Sequence, residues 1–327
     1  MVTGGFFSLF RPGTVIAVLA LSLVLAAWAP GIALVTLLIA SWSLVRAWKG
    51  SKGLTLRPAI VWGFLAVGLG ITAQVLGWSE PLQSGRPVAG HWAYLSSLAV
   101  LAALISVLGA RTPGGGAWAI LMGLLVVVFL LPWLEGSGLA RGAGGMDRLR
   151  LDPPWSIFFA LLILAGVTNY LPTRFGLSAG FVGASLIVEL LGLVQSDWPP
   201  ARRAVVWSLS PLLLALGLIL ALHGAARPLT PDEPLTRLWL WFRDHWGVVW
   251  ALRVRERFNR TAESAGWGVR LGWQGPVWLD ADEPREIPET AERTLATLLR
   301  RFADSTRIEQ ASRDEAAGAC PANELDG

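Results

Sequence analysis

Cysteine is nearly missing from this chain of 327 residues: Cys320 stands alone in a polar stretch near the end. A disulfide framework and a cysteine metal site are therefore excluded. Histidine occurs three times, as His91, His223 and His245. His91 and His223 fall at opposite ends of apolar runs, a membrane apart, which argues against paired haem ligation. Charge is scarce as well, at 15% of residues. There is no phosphate loop, no His-Glu-x-x-His and no dinucleotide fingerprint, so no cofactor is expected. No long basic run exists either, so the pI of 9.9 reads as Arg near membrane ends and not as nucleic-acid binding.

What the chain has instead is tryptophan, 18 residues of it. Trp28, Trp48, Trp62, Trp78, Trp92, Trp118, Trp133, Trp155 and Trp207 each lie near the end of a long apolar run. An apolar ring with one N–H donor settles where hydrocarbon meets headgroup. The hydrophobic share of 54% and mean hydropathy of +0.53 exceed the roughly 45–50% apolar share of a soluble domain. The sequence therefore predicts an all-α polytopic membrane bundle with the lipid bilayer as its first partner.

A crossing helix needs about 20 mostly apolar residues. Eight runs qualify, at about 13–29, 31–48, 58–78, 91–110, 117–134, 154–171, 176–195 and 204–223, giving a membrane domain over 1–223. Pro30 and Gly31 alone separate the first two, which predicts a tight hairpin there. Arg46, Lys49, Lys52 and Arg57 make the densest short basic loop. The positive-inside rule puts that loop, and with an even count both termini, in the cytoplasm of a prokaryotic cell membrane. The loop at 135–153 reads as a mobile connector or a lid.

Residues 224–303 carry most of the charge and are expected to form a small α+β or helical cytoplasmic module. It opens with an amphipathic helix at 234–258. Trp239, Phe242, Trp246 and Trp250 follow helical spacing, and Arg253, Arg255 and Arg257 crowd the last turns. That pattern suits a helix lying in the membrane interface with the aromatics as anchors. The same spacing also fits a helix packed on the module's own core. Alternation around Val269, Leu271 and Trp273 predicts two short strands turning near Gly275, and a helix follows from Thr290 to about Ala303. Residues 304–327 lack apolar periodicity and are expected to be disordered.

Two constellations carry possible chemistry. Glu189 is the one ionisable residue clearly inside a run, where a lone carboxylate costs a few kcal/mol even on the gentlest scale, roughly 2.5–3.5 kcal/mol. At about 100° per residue, Ser178, Ser185 and Glu189 share one helical face, while Gly176, Gly180, Gly183 and Ala184 share the opposite one. Gln74 sits at similar depth and is the expected hydrogen-bond partner of Glu189. This set reads either as a structural bond between helices or as a polar path. The second constellation is Gly176-Leu-Ser178-Ala-Gly180, which matches G-x-S-x-G and resembles the serine segment of rhomboid intramembrane proteases. That resemblance implies a serine nucleophile with His223 as base and Asn169 as oxyanion donor. It spans about five residues, and Ala179 replaces the glycine that follows the rhomboid serine.

Three functions are therefore open. The first is a non-catalytic membrane scaffold or assembly component that holds a membrane partner or a second copy of itself. The second is a transporter with a polar path along the seventh run. The third is an intramembrane serine hydrolase.

Overall fold

A computed structural model describes residues 12–79, 87–111, 115–137, 149–195, 198–227, 233–279 and 288–313, with the backbone alone for 12–30. The described chain is mostly helical. Its membrane part runs α1 (Pro12–Gly50), α2 (Arg57–Ser79), α3 (Pro87–Ser106), α4 (Gly115–Gly136), α5 (Pro153–Thr168), α6 (Gly176–Val194) and α7 (Pro200–Ala226). Six of these seven contain stretches long and apolar enough to cross a membrane. The exception is α5, whose 16 residues span about 24 Å at 1.5 Å per residue, short of the ~30 Å hydrocarbon core.

The tight hairpin expected at Pro30 and Gly31 is not formed. Both runs lie in one continuous helix of 39 residues. Proline removes one N–H but its fixed φ is helical, so an apolar helix can absorb it as a lost rung rather than a reversal. Eight crossings are thereby reduced to six long apolar helices and the shorter α5.

The bundle is organised around α3, which packs on α2, α4, α5 and α6, while α1 packs on α2 and α7, and α6 pairs with α7. Leu37, Tyr94, Leu101, Phe129, Phe159 and Leu186 fill its interior. The Tyr94 hydroxyl donates to the Phe129 carbonyl at 2.6 Å, which satisfies the one polar atom that ring brings inside. Outward faces are mainly aliphatic. Ile120, Leu164 and Leu177 are exposed on the bundle surface, a distribution suited to hydrocarbon and unsuited to water.

The module that follows consists of α8 (Pro234–Ser264), β1 (Val269–Leu271), β2 (Pro276–Trp278), α9 (Glu289–Leu299) and α10 (Ser305–Arg313). The strands pair antiparallel, with Val269 opposite Trp278 and Leu271 opposite Pro276, as the alternation predicts. Asn259 ties this hairpin to α8: Leu271 N donates to its Oδ1 at 2.6 Å and its Nδ2 donates to Leu271 O at 3.2 Å.

Two expectations for this region are corrected. Trp239, Phe242 and Trp246 have no exposed surface and Trp250 has 4%, so they do not stand at a lipid interface. They pack with Leu295, Leu299 and Phe302 into the module's own core, the arrangement that offers burial from within the chain. Residues 305–313, expected to lack structure, form α10, because Ile308 and Ala311 are buried one turn apart beside α8. The remainder of the expected disordered tail, 314–327, lies outside the described residues, as does the glycine-rich middle of the 135–153 loop.

Candidate functional site

Local sequence places the polar stripe of α6 against α7. Gly217 has no side chain, so the two backbones approach closely enough for Ser178 Oγ to donate to Gly217 O at 2.7 Å. Two turns on, Ser185 Oγ donates to Ser210 O at 2.7 Å. A turn further, Glu189 is within hydrogen-bonding reach of the Ser210 side chain. The opposite, small-residue face packs at Gly183, against Val167 of α5.

Glu189 and Gln74 line one cavity enclosed by α1, α2, α3, α6 and α7, together with Ser96, Ser97, Ser185 and Ser210. Its volume is about 30 Å³, room for one or two water-sized occupants. Glu189 is 9% exposed and Gln74 3%. Sequence depth thus brings the two together in one space, although among the described residues Gln74 Oε1 has no hydrogen-bond partner. Ser96 donates to Ala66 O at 2.7 Å, so its proton is committed to backbone.

The three hydrolase candidates are not assembled. Ser178 gives its proton to Gly217. His223 Nδ1 faces Ile219 O at 2.9 Å on an exposed turn. Asn169 is committed to α8. A nucleophile needs its base within hydrogen-bond reach, and no such bond joins these residues among those described.

The role taken by Asn169 was not legible in the sequence. Gly247 interrupts α8 with φ 76° and ψ −173°, a conformation close to glycine-only. The break strips hydrogen-bond partners from the turn on either side. Asn169 replaces them: Val248 N donates to its carbonyl at 2.8 Å, Val249 N to its Oδ1 at 3.0 Å, and its Nδ2 donates to Trp246 O at 3.4 Å. A Cβ at Gly247 would run into Asn169. The one local signal is a glycine inside an otherwise helical pattern.

Around this point the module is fastened to three loops of the bundle. From the α5–α6 loop, Tyr170 donates to His245 O at 3.0 Å, and Pro172 O accepts from Trp273 Nε1 at 3.2 Å. Arg174 approaches Asp244 at 3.5 Å, and Asp244 also binds Arg243 at 2.8 Å. Burial lowers the Arg174 guanidinium from its ordinary value, and Asp244 opposes that shift. Burial pushes the Tyr170 phenol above its ordinary range. From the α3–α4 loop, Val107 O accepts from Trp250 Nε1 at 3.0 Å. From the α1–α2 loop, Thr55 accepts from Trp246 Nε1 at 3.2 Å, and its N–H donates to Phe302 O at 3.0 Å. Arg307 binds the carbonyls of Lys52 and Gly50 at 2.9 and 2.8 Å. These three loops therefore share one face of the bundle.

His245 sits in this seam beside Phe175 and Trp241. Burial first, then the positive charge of Arg174, lowers its pKa from 6.5 to about 4, while a bond to Trp241 O opposes the shift. The ring is thus neutral near pH 7, with Nδ1 carrying the proton toward Trp241 O at 2.7 Å. His, Cys, Asp and Glu do not gather in groups of three or more that would hold a metal, among the described residues. No protein-family model, characterised protein or solved structure matches this chain.

Proposed function

We propose that this integral multi-pass membrane protein is a non-catalytic scaffold, whose C-terminal module offers a fixed surface to a protein partner. The observation that carries this reading is the fastening of the module to three separate loops of one bundle face. A module held this way is presented at a constant angle to the membrane, which suits holding a partner rather than capturing a mobile substrate. Arg46, Lys49, Lys52, Arg57, Arg111 and Arg174 belong to or flank those loops, so the positive-inside rule assigns the face to the cytoplasm. With α1 continuous, the N-terminal end of that helix then lies across the membrane from the module.

A photo-crosslinking side chain at Val277 or Leu279, 57% and 56% exposed, tests the reading in native membranes. A discrete protein adduct from these positions, absent from the lipid-facing Ile120, supports it. Lipid adducts alone at all three would sink it. Reporter fusions at both ends of the chain should give opposite sidedness. A second reading, transport, is supported by the cavity at Glu189 and Gln74; that space has no room for an organic substrate, which leaves only the smallest ions.

A further inference from the structure

We propose that the cavity between Glu189 and Gln74 is a binding site for one small monovalent cation, sodium or hydronium. The inference does not depend on the scaffold reading, because it rests on which protons the lining has already spent. Ser96 gives its hydroxyl proton to Ala66 O and Ser185 gives its own to Ser210 O. Ser210 stands at the Glu189 carboxyl. Among the apolar side chains that line much of the cavity stand the Glu189 carboxyl, the Gln74 amide, whose Oε1 has no hydrogen-bond partner among the described residues, the hydroxyls of Ser96, Ser97, Ser185 and Ser210, and the Trp207 indole. One carboxyl, one amide oxygen and four hydroxyl oxygens around so small a space offer the oxygen ligands that attract a hard cation.

Charge and size narrow the occupant. Among the described residues, Glu189 is the only ionisable one lining the cavity. A monovalent cation leaves the site neutral when the carboxyl is ionised, whereas a divalent one would bring an uncompensated charge into hydrocarbon. Oxygen ligands of carboxylate, amide and hydroxyl type suit a hard cation rather than a soft metal. The space of about 30 Å³ holds an ion with at most one water and excludes organic ammonium ions.

The experiment uses the full chain in nanodiscs. Thermal unfolding is compared in sodium chloride and in choline chloride at equal ionic strength, for the wild type, Glu189→Gln and Gln74→Leu. In parallel, infrared difference spectra follow the carboxylic C=O band across pH. Sodium binding predicts a Tm rise in sodium that disappears in Glu189→Gln, with apparent sodium affinity about tenfold weaker in Gln74→Leu, as for one lost ligand worth ~1.4 kcal/mol. Hydronium binding predicts no sodium effect but a titrating C=O band, absent in Glu189→Gln and shifted in pH in Gln74→Leu. A protein that shows neither effect, or whose titration is indifferent to Gln74→Leu, overturns the proposal. Because Gln74→Leu leaves the carboxyl in place, misfolding of Glu189→Gln would not shelter it.

Discussion

The most exposed and the most buried tryptophans of this molecule, among the described residues, lie in different regions. In the bundle, Trp42 and Trp78 are each 55% exposed, on a surface made mainly of aliphatic side chains. In the module, Trp239 and Trp246 have no exposed surface at all, and their indole N–H groups reach Trp273 O and Thr55 Oγ1. The residue is the same and the surroundings differ. Where lipid is the solvent, an indole gains by lying at the boundary. Where water is the solvent, it gains by being covered and hydrogen-bonded. Tryptophan count thus signals a membrane protein only where the rings flank runs long enough to cross.

The sharpest way to break this contrast is to truncate one ring on each side. Trp246→Ala should cost about 3–5 kcal/mol, the range for emptying a buried aromatic site, and should deprive helix α8 of its protection from limited proteolysis. Trp42→Ala should leave that protection unchanged. Equal sensitivity of the two would mean the module is not an independent core.

Next in size is Gly247→Ala. The conformation alone costs a non-glycine residue about 1–3 kcal/mol, and the added Cβ meets Asn169. The expected result is a module that undocks while the bundle stays folded, seen as faster cleavage between α7 and α8 with unchanged helix content. Asn169→Ala is milder, about 1–3 kcal/mol for leaving Val249 N–H and Trp246 O without partners. Asn169→Asp keeps the acceptor for Val249 and should lose less.

The last effect is graded with pH and develops only gradually, at His245. Its folded pKa of about 4 lies below the ordinary 6.5, so the unfolded or undocked state binds the proton more readily. Stability from this residue is complete above about pH 6.5 and is lost as pH falls toward 4. Protection factors of the α8 amides around Gly247, which correct for the intrinsic pH dependence of exchange, should therefore fall across that window, and His245→Leu should remove the fall. Protection factors that stay constant with pH in the wild type would show that the ring is already open to water.

Much of this was legible in the chain. The apolar runs located the crossing helices because length and composition are enough where backbone must be satisfied internally. The Ser178, Ser185 and Glu189 stripe was legible because helical periodicity is local; Gln74 lines the same cavity as Glu189, but the hydrogen bond expected between them is not formed among the described residues. What failed was of three kinds. Pro30 with Gly31 looks like a turn, but a proline inside a long apolar helix leaves the same mark as one in a hairpin. The apolar face of α8 looks identical whether lipid or Phe302 covers it, since periodicity reports a face and not what it meets. The Asn169–Gly247 junction joins residues 78 positions apart, and nothing near Asn169 announces that it will complete another helix.

The Thr55 junction also sets an order of assembly. Its partners are Trp246 and Phe302, separated from it by 191 and 247 residues. During synthesis, the α1–α2 loop is finished long before the segment that will cover it exists. The early helices must therefore wait in the membrane with this face open, and the contacts that close it are among the most sequence-distant in the protein. Chaperones and proteases that survey this face would meet it uncovered until the last helices arrive. A chain stopped between α7 and α8 would carry a complete bundle and a face that never closes, a mark by which a cell could tell an unfinished copy from a finished one.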